Sequence, residues 1–299
     1  MTAKERILVW WRMLRPFTLT ASLIPVLTGT ILSLTGGRFH AGRFLAFLLA
    51  AVLIQSATNM FNEYFDFKRG LDTKEHVGIA GTIVRDGIRP GTVLSLAWLF
   101  SAAAVAIGLY IAATTSWWVF AAGLACIGVA YLYSAGPVPL AYTPFGELAA
   151  GFTMGPVMIM LVYYTQALAL DLSALLAAQP IGLLIASILL GNNIRDMEAD
   201  RAGGRRTLAI LLGRRAATLL LACFFGLTYL ITLALVGVGS LSPWTLLVLA
   251  TVPSAVRVLR LFSRESDPPR LNPAVKGIAR LLAAFGALLV AGMLLSVWL

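Results

Sequence analysis

Residues 173–200 read SALLAAQPIGLLIASILLGNNIRDMEAD, and this stretch decides the class of fold. Its first 22 residues carry no charged side chain. Because a membrane helix needs about 20 apolar residues, this run is long enough to cross a bilayer. The last nine residues of the stretch, 192–200, differ in character, since they contain two asparagines and three acids. We therefore predict a spanning helix whose end carries a polar cluster.

The rest of the chain has the same apolar character. Of its 299 residues, 59% are hydrophobic and 12% are charged, whereas soluble domains carry about a quarter charged residues. This composition excludes a water-soluble domain and a disordered chain, and two cysteines exclude a disulfide scaffold. Nine apolar runs predict nine spanning helices, at residues 16–35, 44–65, 92–113, 117–134, 145–169, 173–194, 216–238, 243–262 and 278–298.

These runs predict an all-α, polytopic membrane protein that forms a single domain over residues 1–299. No polar linker is long enough to separate soluble domains. We expect the proline-containing stretch from Arg264 to Lys276 to be a loop. We expect no cleavable signal peptide, because the basic opening of the chain leads directly into a full-length span.

The positive charges predict the orientation of the chain in the membrane. When successive spans alternate in direction, 21 of the 23 Lys and Arg residues fall on one side, and only Arg38 and Arg43 fall on the other. The positive-inside rule then places the N-terminus in the cytoplasm and the C-terminus outside the cell membrane. We expect the net charge of +10 to face lipid headgroups or an anionic substrate, and not nucleic acid.

The acidic residues are scarce and clustered. Of the 13 Asp and Glu residues, five lie in residues 63–86 and three in residues 196–200. Both groups lie at predicted cytoplasmic ends of spans. The first window reads NEYFDFKRGLD from residue 62, and the second reads NNIRDMEAD from residue 192. Each window contains the pattern Asn-x-x-x-Asp.

This spacing predicts oxygen ligands on two helix ends. Residues four apart on a helix share a face, so Asn62 and Asp66 project together. The same spacing relates Asn192, Asp196 and Asp200. Mg²⁺ prefers oxygen ligands and commonly binds through a few carboxylates together with substrate phosphates. We therefore predict a site for Mg²⁺ and a diphosphate; the alternative is a pair of solvated helix ends with surface ion pairs.

Asp72 and the basic residues extend the two windows. Gly70 interrupts the helical spacing, so we expect Asp72 just beyond the end of the helix. Guanidinium groups can bind phosphate oxygens through two parallel hydrogen bonds, although the same charges can serve only to orient the chain in the membrane. The bases near the two windows are Lys68, Arg69, Lys74, Arg85, Arg89, Arg195, Arg201, Arg205 and Arg206.

Four segments together closely resemble the intramembrane aromatic prenyltransferases of the UbiA superfamily. They are RPFTLTASLIP at 15–25, the first acidic window with its loop at 62–89, YSAGPVPLAYTPFGE at 133–147, and NNIRDMEADRAGGRRTLAILLG at 192–213. Within the superfamily, the chain is similar to the 1,4-dihydroxy-2-naphthoate polyprenyltransferases of menaquinone synthesis. The resemblance implies nine helices around a central cavity, with cytoplasmic loops that cap the active site.

The resemblance also assigns roles to particular residues. The implied magnesium ligands are Asn62, Asp66, Asp196 and Asp200, with Asp72 as a further acid of the catalytic cluster. Many relatives carry a base near the position of Ala141, and its absence here directs the diphosphate contacts to Lys68, Arg85, Arg89 or Arg195. The other residues that we expect to contact substrate are Arg15, Tyr133, Glu147 and Asn192. An acid at a span boundary such as Glu147 can orient the hydroxyl groups of an aromatic acceptor.

The implied reaction is Mg²⁺-dependent transfer of a polyprenyl group from polyprenyl diphosphate to 1,4-dihydroxy-2-naphthoate. Carbon dioxide and diphosphate are lost, and demethylmenaquinol is formed. One alternative is a prenyltransferase for another aromatic acid, such as hydroxybenzoate or homogentisate. A second alternative, from another class, is a membrane transporter. Transporters place ionisable groups near the middle of the bilayer, whereas the charges here lie at helix ends, which favours the enzyme.

Overall fold

A computed structural model of the protein describes residues 3–72 and 81–298, with side chains for residues 7–72 and 81–297. Lys74, one of the bases near the first acidic window, lies outside the described residues. All regular structure in these ranges is helical. Nine helical segments in the described part are long and apolar enough to cross a membrane, which confirms the nine predicted spans. They are Ile7–Thr35, Ala41–Lys68, Pro90–Thr114, Trp117–Ser134, Gly146–Ala167, Leu172–Arg195, Leu208–Gly237, Pro243–Arg264 and Pro268–Val297.

The first spanning segment is divided at Arg15. Helix α1 runs over Ala3–Leu14, and Arg15 takes the left-handed conformation, with φ of 49°. A 3₁₀ turn at Pro16–Leu19 then leads into helix α2, Thr20–Thr35. The fixed φ of a proline suits the first position of such a turn. The sequence pattern predicted the span from residue 16, but it did not predict α1.

The next helices lead to and from the loop after the first acidic window. Helix α3 runs over Ala41–Lys68, and the short helix α4 runs over Thr82–Asp86. Gly81 and Gly87 flank α4 with φ of 62° and 69°, a conformation that glycine adopts without steric cost. Helices α5, Pro90–Thr114, and α6, Trp117–Ser134, follow.

The remaining helices begin with a bent span. Helices α7, Gly146–Phe152, and α8, Met158–Ala167, are joined by a π-helical turn at Thr153–Val157 that contains Pro156. The others are α9, Leu172–Arg195; α10, Met197–Ala202; α11, Leu208–Gly237; α12, Val252–Arg264, which continues a 3₁₀ segment at Pro243–Thr251; and α13, Pro268–Trp298.

The prediction of a loop from Arg264 to Lys276 is wrong, because α13 already begins at Pro268. Prolines are tolerated in the first turn of a helix, where the backbone N–H groups have no partner within the helix. Pro268 and Pro269 lie in that turn. The backbone N–H of Leu271 then donates to the carbonyl of Asp267 at 3.1 Å, so the first helical hydrogen bond forms just after the two prolines.

The chain divides into two compact units. The first comprises the described residues up to Ser22 and within Leu45–Leu140; the second comprises Leu23–Phe44 and the described residues from Ala141 onward. In the first unit the core includes Met13, Ala57, Phe61, Ile83 and Val93. Aromatic rings extend this core under the first acidic window, since the Phe61 ring lies 5.0 Å from Trp98 and 5.2 Å from Tyr131.

Helix α9 forms the centre of the second unit. It packs against α7, α11 and α13, and its Leu184, Leu190 and Ile194 are fully buried. Small residues allow α7 and α9 to approach closely. A Cβ atom at Gly151 would lie 2.8 Å from the Cβ of Ala186 and 2.9 Å from the carbonyl oxygen of Gly182. This packing through small residues is typical of helices within membranes.

Candidate active site

The first acidic window lies at the end of α3, where Asn62 and Asp66 face the same side. The Asn62 amide donates to Asp66 Oδ2 at 3.1 Å, and Arg15 Nη1 donates to Asn62 Oδ1 at 3.1 Å. The one-turn spacing thus brings the two predicted ligands into direct contact. Arg15, a predicted substrate contact, is buried at the break between α1 and the 3₁₀ turn.

Asp72 follows the end of α3, as its separation by Gly70 predicted. Gly70 has a φ of 73°, and the N–H groups of Gly70 and Leu71 donate to the carbonyls of Phe67 and Asp66. This pattern of hydrogen bonds commonly ends helices with a glycine. Asp72 nevertheless acts electrostatically on Arg15, as do Asp66 and Glu63. Three carboxylates of the first unit thus act electrostatically on one buried guanidinium group.

Glu63 is a site residue whose role the sequence pattern missed. Its side chain is 1% exposed, and its Oε1 accepts hydrogen bonds from Thr82 Oγ1 at 2.6 Å and from the N–H of Ile83 at 3.0 Å. Glu63 thereby fixes α4 against the end of α3. The sequence contained one indication that Glu63 is not part of a surface ion pair. No base lies four residues before or after it, where it could pair with Glu63 on α3.

The described bases near the first acidic window are of two kinds, one that binds backbone carbonyl groups and three that are exposed. Arg69 donates to the carbonyls of Ser134 at 2.6 Å and Gly136 at 3.1 Å, so it secures the segment that follows α6. Lys68, Arg85 and Arg89 are exposed at the ends of α3, α4 and the segment before α5. Tyr133, another predicted substrate contact, lies in the last turn of α6.

The second acidic window continues helical hydrogen bonding across the end of α9. The N–H of Asp196 donates to the Asn192 carbonyl at 2.9 Å, and the N–H of Asp200 donates to the Asp196 carbonyl at 2.8 Å. The predicted i, i+4 relation is therefore present. Arg195 binds both carboxylate oxygens of Asp196, at 2.7 and 2.6 Å, and its third nitrogen donates to Asn272 Oδ1 at 3.1 Å.

Two further pairs flank this helix end. Asp200 Oδ1 accepts from Arg205 Nη1 at 3.1 Å, and the Arg205 guanidinium carbon lies 5.0 Å from the centre of the Tyr142 ring. Glu147 is 1% exposed, and its Oε1 accepts from the side-chain amide of Asn193 at 2.8 Å. The Asn193 contact was not predicted. The second carboxylate oxygen of Glu147, Oε2, is buried and has no hydrogen-bond partner among the described residues.

The side-chain oxygen atoms in each window are suitable ligands for a magnesium ion. They are carboxylate and amide oxygens, and the buried Oδ1 of Asn192 accepts no hydrogen bond from the residues that the structure describes. Within the described part of either unit, no three His, Cys, Asp and Glu side chains are grouped as metal ligands. Amide, water and phosphate oxygens would thus have to complete the coordination, as is common for Mg²⁺. In this structure the guanidinium of Arg195 supplies positive charge to Asp196.

Comparison with known proteins identifies the family. The chain matches the UbiA prenyltransferase family over residues 22–272, which is most of its length. The chain belongs to the UbiA prenyltransferase family. It is an enzyme family, so the prediction of a prenyltransferase is confirmed and the transporter alternative is wrong.

Individual UbiA relatives agree with this assignment. The chain is 44% identical to the 1,4-dihydroxy-2-naphthoate octaprenyltransferase of Bacillus subtilis (strain 168), over 96% of this chain and 93% of the relative. It is 33% identical to the enzyme of the same name from Mycobacterium tuberculosis (strain ATCC 25618 / H37Rv), over 95% and 96% of the two chains. The fold is similar to that of a UbiA homolog from Archaeoglobus fulgidus bound to DMAPP and Mg²⁺, with 20% identity, a TM-score of 0.61, and coverage of 93% and 98%.

Proposed function

We propose that this chain transfers a polyprenyl group from polyprenyl diphosphate to 1,4-dihydroxy-2-naphthoate, releasing diphosphate and CO₂ and giving demethylmenaquinol. The observation that carries the proposal is the 44% identity to the Bacillus subtilis naphthoate octaprenyltransferase over nearly the whole chain. The family match takes in residues of both compact units, which supports a single functional domain over residues 1–299.

We propose that Mg²⁺ is held by Asn62, Asp66, Asp196 and Asp200, with Asp72 contributing negative charge nearby. The oxygen-only donor sets and the buried Oδ1 of Asn192 support this assignment. A homolog that shares the fold was solved with DMAPP and Mg²⁺, which also supports it. When bound, the ion would neutralise the diphosphate and make it a better leaving group.

The chain's own residues then have three tasks. Lys68, Arg85 and Arg89 are exposed cations beside the first motif, and they bind the diphosphate oxygens. Arg195 donates hydrogen bonds to Asp196 and Asn272, and it can exchange these for hydrogen bonds to phosphate oxygens when a diphosphate binds. Arg15 keeps the amide of Asn62 oriented toward Asp66.

The chemistry requires a reacting carbon that is kept from water. The allylic C–O bond breaks, and its electron pair leaves with the diphosphate. A ring carbon of the naphthoate supplies the electron pair of the new C–C bond and then loses its proton, which restores the aromatic ring. The bond to the ring carboxylate breaks with its electron pair left on the ring, and a proton takes the place of the departing CO₂. The apolar helices exclude the water that would otherwise capture the allylic cation.

We propose that Glu147 and Tyr133 act on the acceptor side of the site. The buried Oε2 of Glu147 has no hydrogen-bond partner within the described part of the chain, so it can accept a hydrogen bond from a ring hydroxyl. Asn193 holds the other carboxylate oxygen and so fixes the orientation of Glu147. Tyr133 would supply a polar tip at the end of α6.

The test is a product assay. Purified protein in detergent is incubated with Mg²⁺, farnesyl or longer prenyl diphosphates, and a panel of aromatic acids, and products are identified by mass spectrometry. We expect prenylated product from 1,4-dihydroxy-2-naphthoate, loss of product with EDTA, and recovery when Mg²⁺ is restored. In the same assay, Glu147→Gln should raise the KM for the acceptor without changing that for the diphosphate; an unchanged acceptor KM would remove Glu147 from the acceptor site.

The same assay distinguishes the acceptors. Prenylation of hydroxybenzoate or homogentisate but not of dihydroxynaphthoate would overturn the proposed acceptor while leaving the prenyltransferase assignment intact. Retained activity after complete removal of divalent ions would overturn the proposed metal dependence.

We also propose that the chain lies in the cell membrane with its N-terminus and both acidic motifs on the cytoplasmic side. The support is the distribution of charge, since 21 of 23 basic residues fall on one side when the spans alternate.

A further inference from the structure

Helix α1 presents a broad apolar surface that no other part of the described chain covers. Ile7 is 68% exposed, Leu8 49%, Trp10 41% and Trp11 57%. At 100° per residue these four side chains lie within one arc of the helix, and Val9, on the other side, is buried. An apolar arc of this size, with two tryptophans, indicates a surface that contacts something other than water.

This helix is not needed to cross the membrane. The 16 residues of α2 rise about 24 Å, and the 3₁₀ turn before α2 adds about 8 Å. Together they match the hydrocarbon thickness of about 30 Å. Arg15 separates this length from α1 with a left-handed residue, so the helix axis is interrupted at the point where the span is complete.

The opposite face of α1 is attached to the first acidic motif. Met13 is buried in the same core cluster as Ile83 of α4. Arg12 Nη2 donates to Asp86 Oδ1 at 2.8 Å, again joining α1 to α4. Because Arg85 lies between these two contacts, the position of α1 fixes the position of one proposed diphosphate contact.

We propose that α1 lies in the interfacial layer of the bilayer, with its apolar arc among the lipid headgroups and upper acyl chains, and holds α4 at the membrane surface. Three observations select lipid as the occupant. The apolar arc continues directly into a membrane-spanning helix. Tryptophan is favoured at the membrane interface. The sequence at the start of α1 has two bases, Lys4 and Arg6, against one acid, Glu5, a composition that favours an anionic membrane surface.

The test measures the surroundings of α1 in the whole protein. Cys126 and Cys223 are replaced by Ala, and single cysteines are introduced as Ile7→Cys and Leu8→Cys. Two reference variants are Leu230→Cys, at an exposed position within spanning helix α11, and Glu198→Cys, at an exposed position of the short helix α10. Each variant carries a nitroxide spin label and is reconstituted in vesicles that contain anionic lipid. Collision with oxygen, which enters lipid, is compared with collision with a water-soluble nickel chelate.

We expect the oxygen-to-nickel collision ratio at residues 7 and 8 to exceed that at residue 198 severalfold and to stay below that at residue 230, because an interfacial helix lies at a shallower depth than a spanning helix. A ratio equal to that at residue 230 would place α1 in the bilayer core and overturn the proposal. A ratio equal to that at residue 198 would place the arc in water and overturn the proposal. Protection from both reagents would mean that protein, such as a second copy of the chain, covers the arc, and it would overturn the proposal as well. The measurement does not depend on enzymatic activity.

Discussion

At the residue scale, the acids of the two motifs already have counter-charges or amide partners within their own units. Asp66 accepts from Asn62, and Asp196 and Asp200 are paired with Arg195 and Arg205. Neighbouring carboxylates repel each other unless positive charge lies between them. Arg195 and Arg205 therefore balance the negative charge of Asp196 and Asp200 in this state, and an arriving cation would share or replace these contacts.

This arrangement predicts the effect of removing one charge from each motif. Asp66→Asn and Asp196→Asn keep the size of the side chain and one oxygen but remove the negative charge that attracts the cation. We expect each variant to lower turnover about 10²- to 10³-fold, the usual loss when one strong electrostatic contact to a transition state is removed. The rate of product formation at saturating substrates measures the effect, and gel filtration checks folding.

Glu198→Gln is the matched control for these variants. Glu198 lies two residues after Asp196, but its side chain is 74% exposed and pairs with Arg201 at 3.1 Å. We expect the control to retain full turnover, because exposed ion pairs contribute little. Wild-type activity in Asp66→Asn or Asp196→Asn would remove that residue from the metal site.

The sequence revealed the candidate ligands at this scale, but it did not reveal their partners. The spacing of Asn62 and Asp66 follows from the helical repeat, and the structure confirms that these side chains meet. Glu63 belongs to the same window and resembles a solvated acid, yet it is buried beneath α4. Its partner lies 19 residues along the chain, and no local repeat encodes that contact.

At the element scale, the close contact between α7 and α9 depends on glycine. A Cβ at Gly151 of α7 would press on Ala186, and one at Gly155, in the π-helical turn that follows α7, would overlap the backbone of Gly182. The same two helices carry Glu147 and Asn193, which meet near the end of this interface. The spacing of α7 and α9 therefore sets the geometry of the proposed acceptor contact.

Gly155→Ala should therefore destabilise the protein. The added methyl group forces α9 away from the π-helical turn that follows α7, and overpacking of this kind typically costs about 1–3 kcal/mol. We expect a lower melting temperature than that of the wild type in the same detergent, measured by loss of the folded peak on size-exclusion chromatography after heating.

Gly226→Ala provides the control, because a Cβ at this helical position meets no atom within 4 Å. We expect its melting temperature to stay at or slightly above that of the wild type, since Ala favours helix more than Gly does. Equal melting temperatures for Gly155→Ala and Gly226→Ala would mean that the α7 and α9 contact relaxes without cost.

The spanning helices were predictable at this scale, but the elements between them were not. A run of apolar residues specifies a spanning helix by length alone, and all nine were found within a few residues of their ends, apart from earlier starts at α11 and α13 and the extra α1. Helices α1, α4 and α10 are short or mixed in composition. They are stabilised by contacts such as Arg12 with Asp86, which connect distant parts of the sequence.

At the scale of the whole molecule, the uneven distribution of charge predicts the sidedness of every loop. Ser240 lies in a predicted outer loop, and Glu198 lies beside the second motif on the predicted cytoplasmic side; both are exposed. In a background without Cys126 and Cys223, a membrane-impermeant maleimide added to whole cells should label Ser240→Cys. It should label Glu198→Cys only after the cells are permeabilised, and the reverse result would invert the topology.

The sequence by itself determined that this is a membrane protein with nine spans. It also showed that most Lys and Arg residues fall on one side when the spans alternate, and that candidate oxygen ligands cluster in two windows. It could do so because a backbone in lipid must form its own hydrogen bonds, so that length and hydropathy suffice to define a span. Only the tertiary structure decided which carboxylate meets which base, why Glu63 and Glu147 are buried, and where α1 lies against α4. Those contacts join residues that are far apart in the chain, and they depend on packing geometry that a local repeat does not contain.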